Sequence, residues 1–217
     1  MKVSLELLQD RVDPKHTALL VIDMQNDFVH ERGRFTEFGF DTSTVRESVV
    51  WVKRVLEAAR RRGLLIVHTR MINDEQQNPP SWLAFWGKPT ITLEGTWGAD
   101  FFEGFEPLPG EVVLTKYTYG AFHGTNLENI LKNRYVKTVV AVGTGPNICL
   151  GDTVHQAFAH GYHVVVPREA VAAFSKRGRE FTEKVKKVGL YIIENHYGIV
   201  CSVEELMEAW NLSPIKA

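Results

Sequence analysis

The feature that most constrains this chain is a recurrence of short, almost wholly apolar runs separated by helical patterns. The first is Thr17-Ala-Leu-Leu-Val-Ile22, and similar runs lie at 64–67, 111–115, 137–142 and 162–166. Continuous apolarity marks strands covered on both faces, as in a parallel sheet. Parallel neighbours need crossover connections, and the sequence supplies them. Val45, Val49, Val52, Leu56 and Ala59 recur at helical spacing behind Thr44-Val-Arg-Glu47, a capping-box spacing, and Gly63 stops the pattern. Thr125 caps a short helix over 126–131, and Leu150, Val154, Ala157 and Phe158 give the next helix an inner face that ends at Gly161. A helix over 180–188, a sixth strand over 190–193 and a terminal helix from Ser202 to Trp210 complete the pattern. Alternation of this kind predicts an α/β fold, a Rossmann-like three-layer α/β/α sandwich around a mainly parallel six-stranded sheet. A length of 217 residues fits one domain, 1–217.

Bulk properties exclude several classes of function. The formal net charge is -1, with no long run of one sign, so the electrostatic footprint of a nucleic-acid binder is absent. Only Cys149 and Cys201 occur, far apart, which argues against a disulfide framework and predicts a reducing, cytoplasmic setting. The first ten residues carry charges and no small-residue cleavage site, and no stretch approaches the roughly 18 apolar residues of a membrane span, so no leader and no membrane partner are expected.

Three polar residues stand at carboxyl ends of the buried runs, where ligand crevices of open α/β sheets lie. Asp23 follows the first run in Asp23-Met-Gln25-Asn26-Asp27-Phe28, and Lys116 follows the third. Cys149 opens the helix after Val142-Gly-Thr-Gly-Pro-Asn-Ile148. A helix start carries unpaired N–H groups and partial positive charge, which eases loss of the thiol proton, and Gly143 and Gly145 permit a sharp bend. Each residue alone has a plain reading: a turn aspartate, a solvated lysine, a small buried cysteine. Together on one rim they make a nucleophile, a proton acceptor and a cation. The segment 71–110 lacks periodicity but holds Trp82, Phe85, Trp86 and Trp97, and reads equally as a lid or as cover for a sheet edge or subunit contact.

The segments around Asp23, Leu114-Thr-Lys116-Tyr-Thr-Tyr119-Gly-Ala-Phe122 and Val142 to Cys149 resemble, in order and spacing, the isochorismatase-like cysteine hydrolases from Thr17 to about Glu194. The resemblance implies a catalytic triad of Asp23, Lys116 and Cys149. It also implies a cis peptide between Thr144 and Gly145 that aims the N–H groups of Ile148 and Cys149 at an oxyanion. Many relatives carry Thr three residues before the cysteine, where this chain has Pro146, a residue that pre-sets a first helical turn. Gln25, Phe28, Trp97, Tyr119 and Phe122 are expected pocket walls, with Gln25 and Phe122 better matched by motif.

Family members that cleave a vinyl ether lack the cysteine, so its presence favours attack on a carbonyl and C–N cleavage. Nicotinamidase relatives hold a metal through Asp-x-His and a further His. Here the region reads His68-Thr-Arg70-Met-Ile-Asn73, so no metal and no cofactor are expected. His155, His160 and His163 form no ligand spacing. Glu94-Gly-Thr-Trp97-Gly-Ala-Asp100 resembles the segment before the lysine in ureidoacrylate and biuret hydrolase-like members. The expectation is a metal-free amidohydrolase acting on a small amide, ureido or carbamoyl substrate through a thioester, assembled as a homo-oligomer. The alternatives are a vinyl ether hydrolase of the isochorismatase type and a catalytically silent interaction module.

Overall fold

The computed structural model describes residues 4–211. Helix α1 (Leu5–Arg11), capped by Ser4, leads through a short turn into strand β1 (Thr17–Ile22), which is buried along its whole length. Two single-turn helices, α2 (Asn26–Val29) and α3 (Arg34–Glu37), precede the long helix α4 (Ser43–Arg62). Gly63 ends α4 in the left-handed conformation, with φ 68°. Strand β2 (Leu65–Met71), helix α5 (Pro80–Trp86), strand β3 (Val112–Lys116) and helix α6 (Leu127–Asn133) follow. Strand β4 (Thr138–Thr144), helix α7 (Cys149–Ala159), strand β5 (His163–Pro167) and the two-residue strand β6 (Val171–Ala172) lead to helix α8 (Arg179–His196). Strand β7 (Ile199–Cys201) and helix α9 (Val203–Ala209) end the described chain.

All pairings are parallel, in the order β3-β2-β1-β4-β5-β7, with β6 on β4. Helices flank this α/β sheet, but it has seven strands where the sequence predicts six. The expected strand over 190–193 is the last part of α8. Its apolar residues follow a helical stripe, since Thr182, Gly189 and Ile193 are buried while Tyr191 and Ile192 face outward. The strand lies further on, at Ile199–Cys201. Phe158 likewise sits half-exposed rather than on the inner face of α7. The Thr44 capping box does not form. α4 starts earlier, and Thr44 Oγ1 donates to the Ala173 carbonyl at 3.1 Å. The capping box at Ser202 and Glu205 does form.

Two features of this topology place the site. The chain runs outward from β1 to β3 and then returns to lay β4 on the other side of β1, so a topological switch point falls between β1 and β4. The register also levels the carboxyl ends: Ile22 pairs with Thr69 and Gly143, and Met71 with Lys116. Gly143 is required by that closeness, because its φ is 114° and a Cβ there would lie 2.2 Å from the Ile22 carbonyl oxygen. Among the described residues no helix is long and apolar enough to cross a membrane.

Candidate active site

Asp23 extends β1 by one residue and turns the chain, with φ 52°. Aspartate is among the few non-glycine residues that tolerate this region. Its N–H approaches the Thr69 carbonyl and hydroxyl oxygens at 3.3 and 3.2 Å, and Thr69 donates its hydroxyl to Oδ1 at 2.7 Å. Thr69 thus fixes the carboxylate from the neighbouring strand, a role the sequence did not single out.

Lys116 stands two strands away from Asp23, about 10 Å in interstrand spacing, so a long side chain is needed to cross β2. Its Nζ lies 2.7 Å from Asp23 Oδ2 and donates to the Thr118 carbonyl at 3.2 Å. Both side chains are wholly buried. Oδ2 accepts no well-directed hydrogen bond despite the short approach, so the contact is that of an ion pair. Burial works against the Lys116 ammonium. The Asp23 carboxylate outweighs it and holds the lysine above its ordinary range.

Cys149 begins α7, with its sulfur close enough to Asp23 and Lys116 for both charges to act on its ionisation. The helix start alone predicts an easily ionised thiol. The structure corrects that expectation: burial pushes the thiol well above its ordinary range, Lys116 draws it down, and Asp23 pushes it up again. Burial thus disfavours the thiolate, and the carboxylate of Asp23 stands nearby as a proton acceptor.

The turn before Cys149 also departs from expectation. No cis peptide occurs among the described residues, so the Thr144–Gly145 bond is trans. Gly145 instead bends the chain with φ 76° and donates its N–H to the Ala172 carbonyl on β6, at 2.8 Å. Ile148 donates to the Gly145 carbonyl at 3.0 Å, closing a turn with Pro146 at its second position. The Ile148 N–H is thereby spent. The Cys149 and Leu150 N–H groups have no acceptor among the described residues and are the backbone donors left at the helix start. Pro146 abuts α8, where a Cβ on Gly189 would lie 2.9 Å from it, and it does not line the cavity.

Cys149 opens onto a cavity of about 540 Å³ whose walls include Phe28, Met71, Tyr119, Thr144 and Ile148. Of the residues expected as pocket walls, Phe28 and Tyr119 line this cavity. Gln25, Trp97 and Phe122 are not on its walls. Gln25 is buried, donating Nε2 to the Met71 and Ala99 carbonyls, each at 2.9 Å, and accepting the Met71 N–H at 2.7 Å. It ties the end of β2 to the 97–99 turn. Trp97 packs its ring 5.0 Å from His30, and Phe122 stacks on His160 at 4.9 Å. From the 71–110 segment, Trp82 and Trp86 of α5 do line the cavity, while Phe85 is exposed.

His68, which opens the stretch where nicotinamidase relatives carry metal ligands, is buried and bonded to Glu111 at 2.8 Å. No cluster of three or more His, Cys, Asp or Glu with metal-holding geometry occurs among the described residues.

A cysteine, a carboxylate and an ammonium thus meet at the switch point of an all-parallel α/β sheet. Residues 17–195 match the isochorismatase domain family, and the chain belongs to that family. It is similar to a cysteine hydrolase from Pseudomonas syringae pv. phaseolicola 1448A, with 23% identity, TM-score 0.83, and coverage of 93% of this chain and 95% of that one. It also resembles an N-carbamoylsarcosine amidase from Thermoplasma acidophilum, at 28% identity and TM-score 0.73, covering 87% and 97%. A nicotinamidase from Bacillus subtilis aligns at 23% identity and TM-score 0.70, covering 86% and 99%, a likeness of fold.

Proposed function

We propose that this protein is a metal-free cysteine amidohydrolase that cleaves the C–N bond of a small-molecule amide, ureido or carbamoyl substrate. The observation that carries the reading is the buried Asp23–Lys116 pair acting on the Cys149 thiol, which borders a cavity. The 28% identical N-carbamoylsarcosine amidase supports a C–N bond as the target.

In this mechanism the thiol passes its proton to the Asp23 carboxylate as sulfur bonds to the substrate carbonyl carbon. Lys116 balances the charge that results, and the Cys149 N–H donates to the oxyanion. Collapse of the tetrahedral adduct breaks the C–N bond, and the leaving nitrogen takes the proton from Asp23. A water then gives a proton to Asp23 and its oxygen to the thioester carbon. The C–S bond breaks, and the sulfur recovers the proton from Asp23. The products are the amine or ammonia and the carboxylic or carbamic acid.

Ammonia release from a panel of amides, ureas and carbamoyl compounds tests this, with Cys149→Ala as control and intact-mass detection of an acyl-enzyme. Release that is abolished in the variant is expected. Equal release by both proteins refutes the thiol mechanism, and hydrolysis of isochorismate surviving the substitution would instead identify a vinyl ether hydrolase.

A further inference from the structure

The cavity beside Cys149 is larger and more aromatic than a urea or a simple carbamoyl group needs. Its volume, about 540 Å³, falls in the range that encloses drug-sized ligands. Two ring clusters line it. Phe35 sits at the centre of the first, with Phe28 edge-on at 4.8 Å, Phe40 stacked at 4.5 Å and Phe174 edge-on at 4.8 Å. The second is Trp82 against Tyr119, 4.7 Å apart, from α5 and the loop after β3. No ring contact joins the clusters among the described residues, and both border the same cavity, which has room for a flat occupant. The Trp82 indole N–H is already donated to Asn73 at 3.0 Å, and Asn73 donates in turn to Ile91 and Thr92. The walls therefore offer ring faces and edges more than open hydrogen-bonding groups.

The charged lining is of one sign. Lys88 and Lys176 border the cavity, and no carboxylate does. Lys88 is paired with Glu75 at 3.2 Å. Lys176 has no carboxylate partner among the described residues, and its ammonium lies 4.9 Å from the Phe40 ring centroid. A second charge on the occupant is thus favoured when negative and opposed when positive.

We infer that the cavity is built for an amide carried on a flat aromatic body of about two rings that bears a further negative charge. This rests on the amidohydrolase reading for the reaction, but the recognition is separable from it. A ring buried against such walls is worth about a factor of 10 to 100 in affinity or in kcat/KM.

Isothermal titration of Cys149→Ala with acetamide, benzamide, 2-naphthamide, 6-carbamoyl-2-naphthoate and 6-(aminomethyl)-2-naphthamide tests the recognition without turnover. Affinity is expected to rise about tenfold or more with each ring, with the naphthoate bound best and the ammonium analogue at least fivefold weaker than the naphthoate. Phe40→Ala should narrow the step between acetamide and the naphthoate, and Lys176→Glu should reverse the preference between the two charged probes. Affinities within threefold across the series, or a charge preference indifferent to Lys176→Glu, overturn the inference. Ammonia release by the wild type is read in parallel. Size-graded binding without release overturns the amidohydrolase reading and leaves the recognition standing. Release without size preference overturns only the recognition.

Discussion

The Asp23–Lys116 pair offers a stability measurement whose magnitude follows from its geometry. Both side chains are wholly buried, with Nζ 2.7 Å from Oδ2. Removing one partner of a buried pair leaves the other charge uncompensated and costs about 3–5 kcal/mol. Lys116→Met leaves Asp23 with the Thr69 hydroxyl and no cation. Asp23→Asn leaves the ammonium with the Thr118 carbonyl and the thiol. For a chain of 217 residues each kilocalorie corresponds to about 2–4 °C, so each single variant should melt about 6–20 °C lower. The double variant Asp23→Asn/Lys116→Met buries no charge. Asn tolerates the left-handed backbone at position 23 and still accepts the Thr69 hydroxyl. It should therefore lie within about 2 kcal/mol of wild type, giving a coupling energy of about 4 kcal/mol or more. Urea unfolding at pH 7 with unchanged m-value is the assay. The pair contributes fully there. A lysine held above its ordinary value of 10.5 contributes stability below that pH and loses it only as pH rises through the folded value. Single variants that cost less than about 1 kcal/mol and add without coupling would refute the buried-pair account.

Three further outcomes follow from the same structure. Glu111 is held at about 2, because burial, which would raise it, is outweighed by bonds from Arg60, the Leu108 N–H and His68. Its stabilisation is present above the ordinary glutamate value of 4.5 and is lost as pH falls toward 2, so the urea midpoint of Glu111→Gln should start lower at pH 7 and fall less on acidification. Parallel acid limbs for the two proteins would contradict this. Gln25→Ala should cost about 2–4 kcal/mol in urea unfolding, since it strands buried backbone groups at Met71 and Ala99; a wild-type midpoint would deny the tie. Gly143→Ala drives a Cβ into the Ile22 carbonyl at 2.2 Å, so a sharp loss of soluble, cooperatively melting protein is expected, and a wild-type melting temperature would show that the strands yield.

Most of the sheet was legible because its strands are buried on both faces and advertise themselves as unbroken apolar runs. β1 coincides with its run, and β2 to β5 contain or overlap theirs. The run at 190–193 misled for the same reason: four apolar residues carry no period that separates strand from helix, and only the burial of Gly189 and Ile193 resolves it. The convergence of Asp23, Lys116 and Cys149 was legible from their shared position at strand ends. The walls were not. Phe174 is distant in sequence from Phe35 and Phe40 and meets them only in the folded chain, whereas Gln25 and Phe122 lie in matched motifs yet serve packing and tethering. The Gly145 N–H donated to the β6 carbonyl of Ala172 and the Ile148 N–H spent on Gly145 are contacts that no local pattern announces.

The protonated state of Cys149 has a bearing on durability. Peroxides and disulfides react with thiolates, and burial that raises the Cys149 thiol above its ordinary range reduces the thiolate they can meet. The same burial that holds back ionisation thus also slows the first step toward irreversible oxidation.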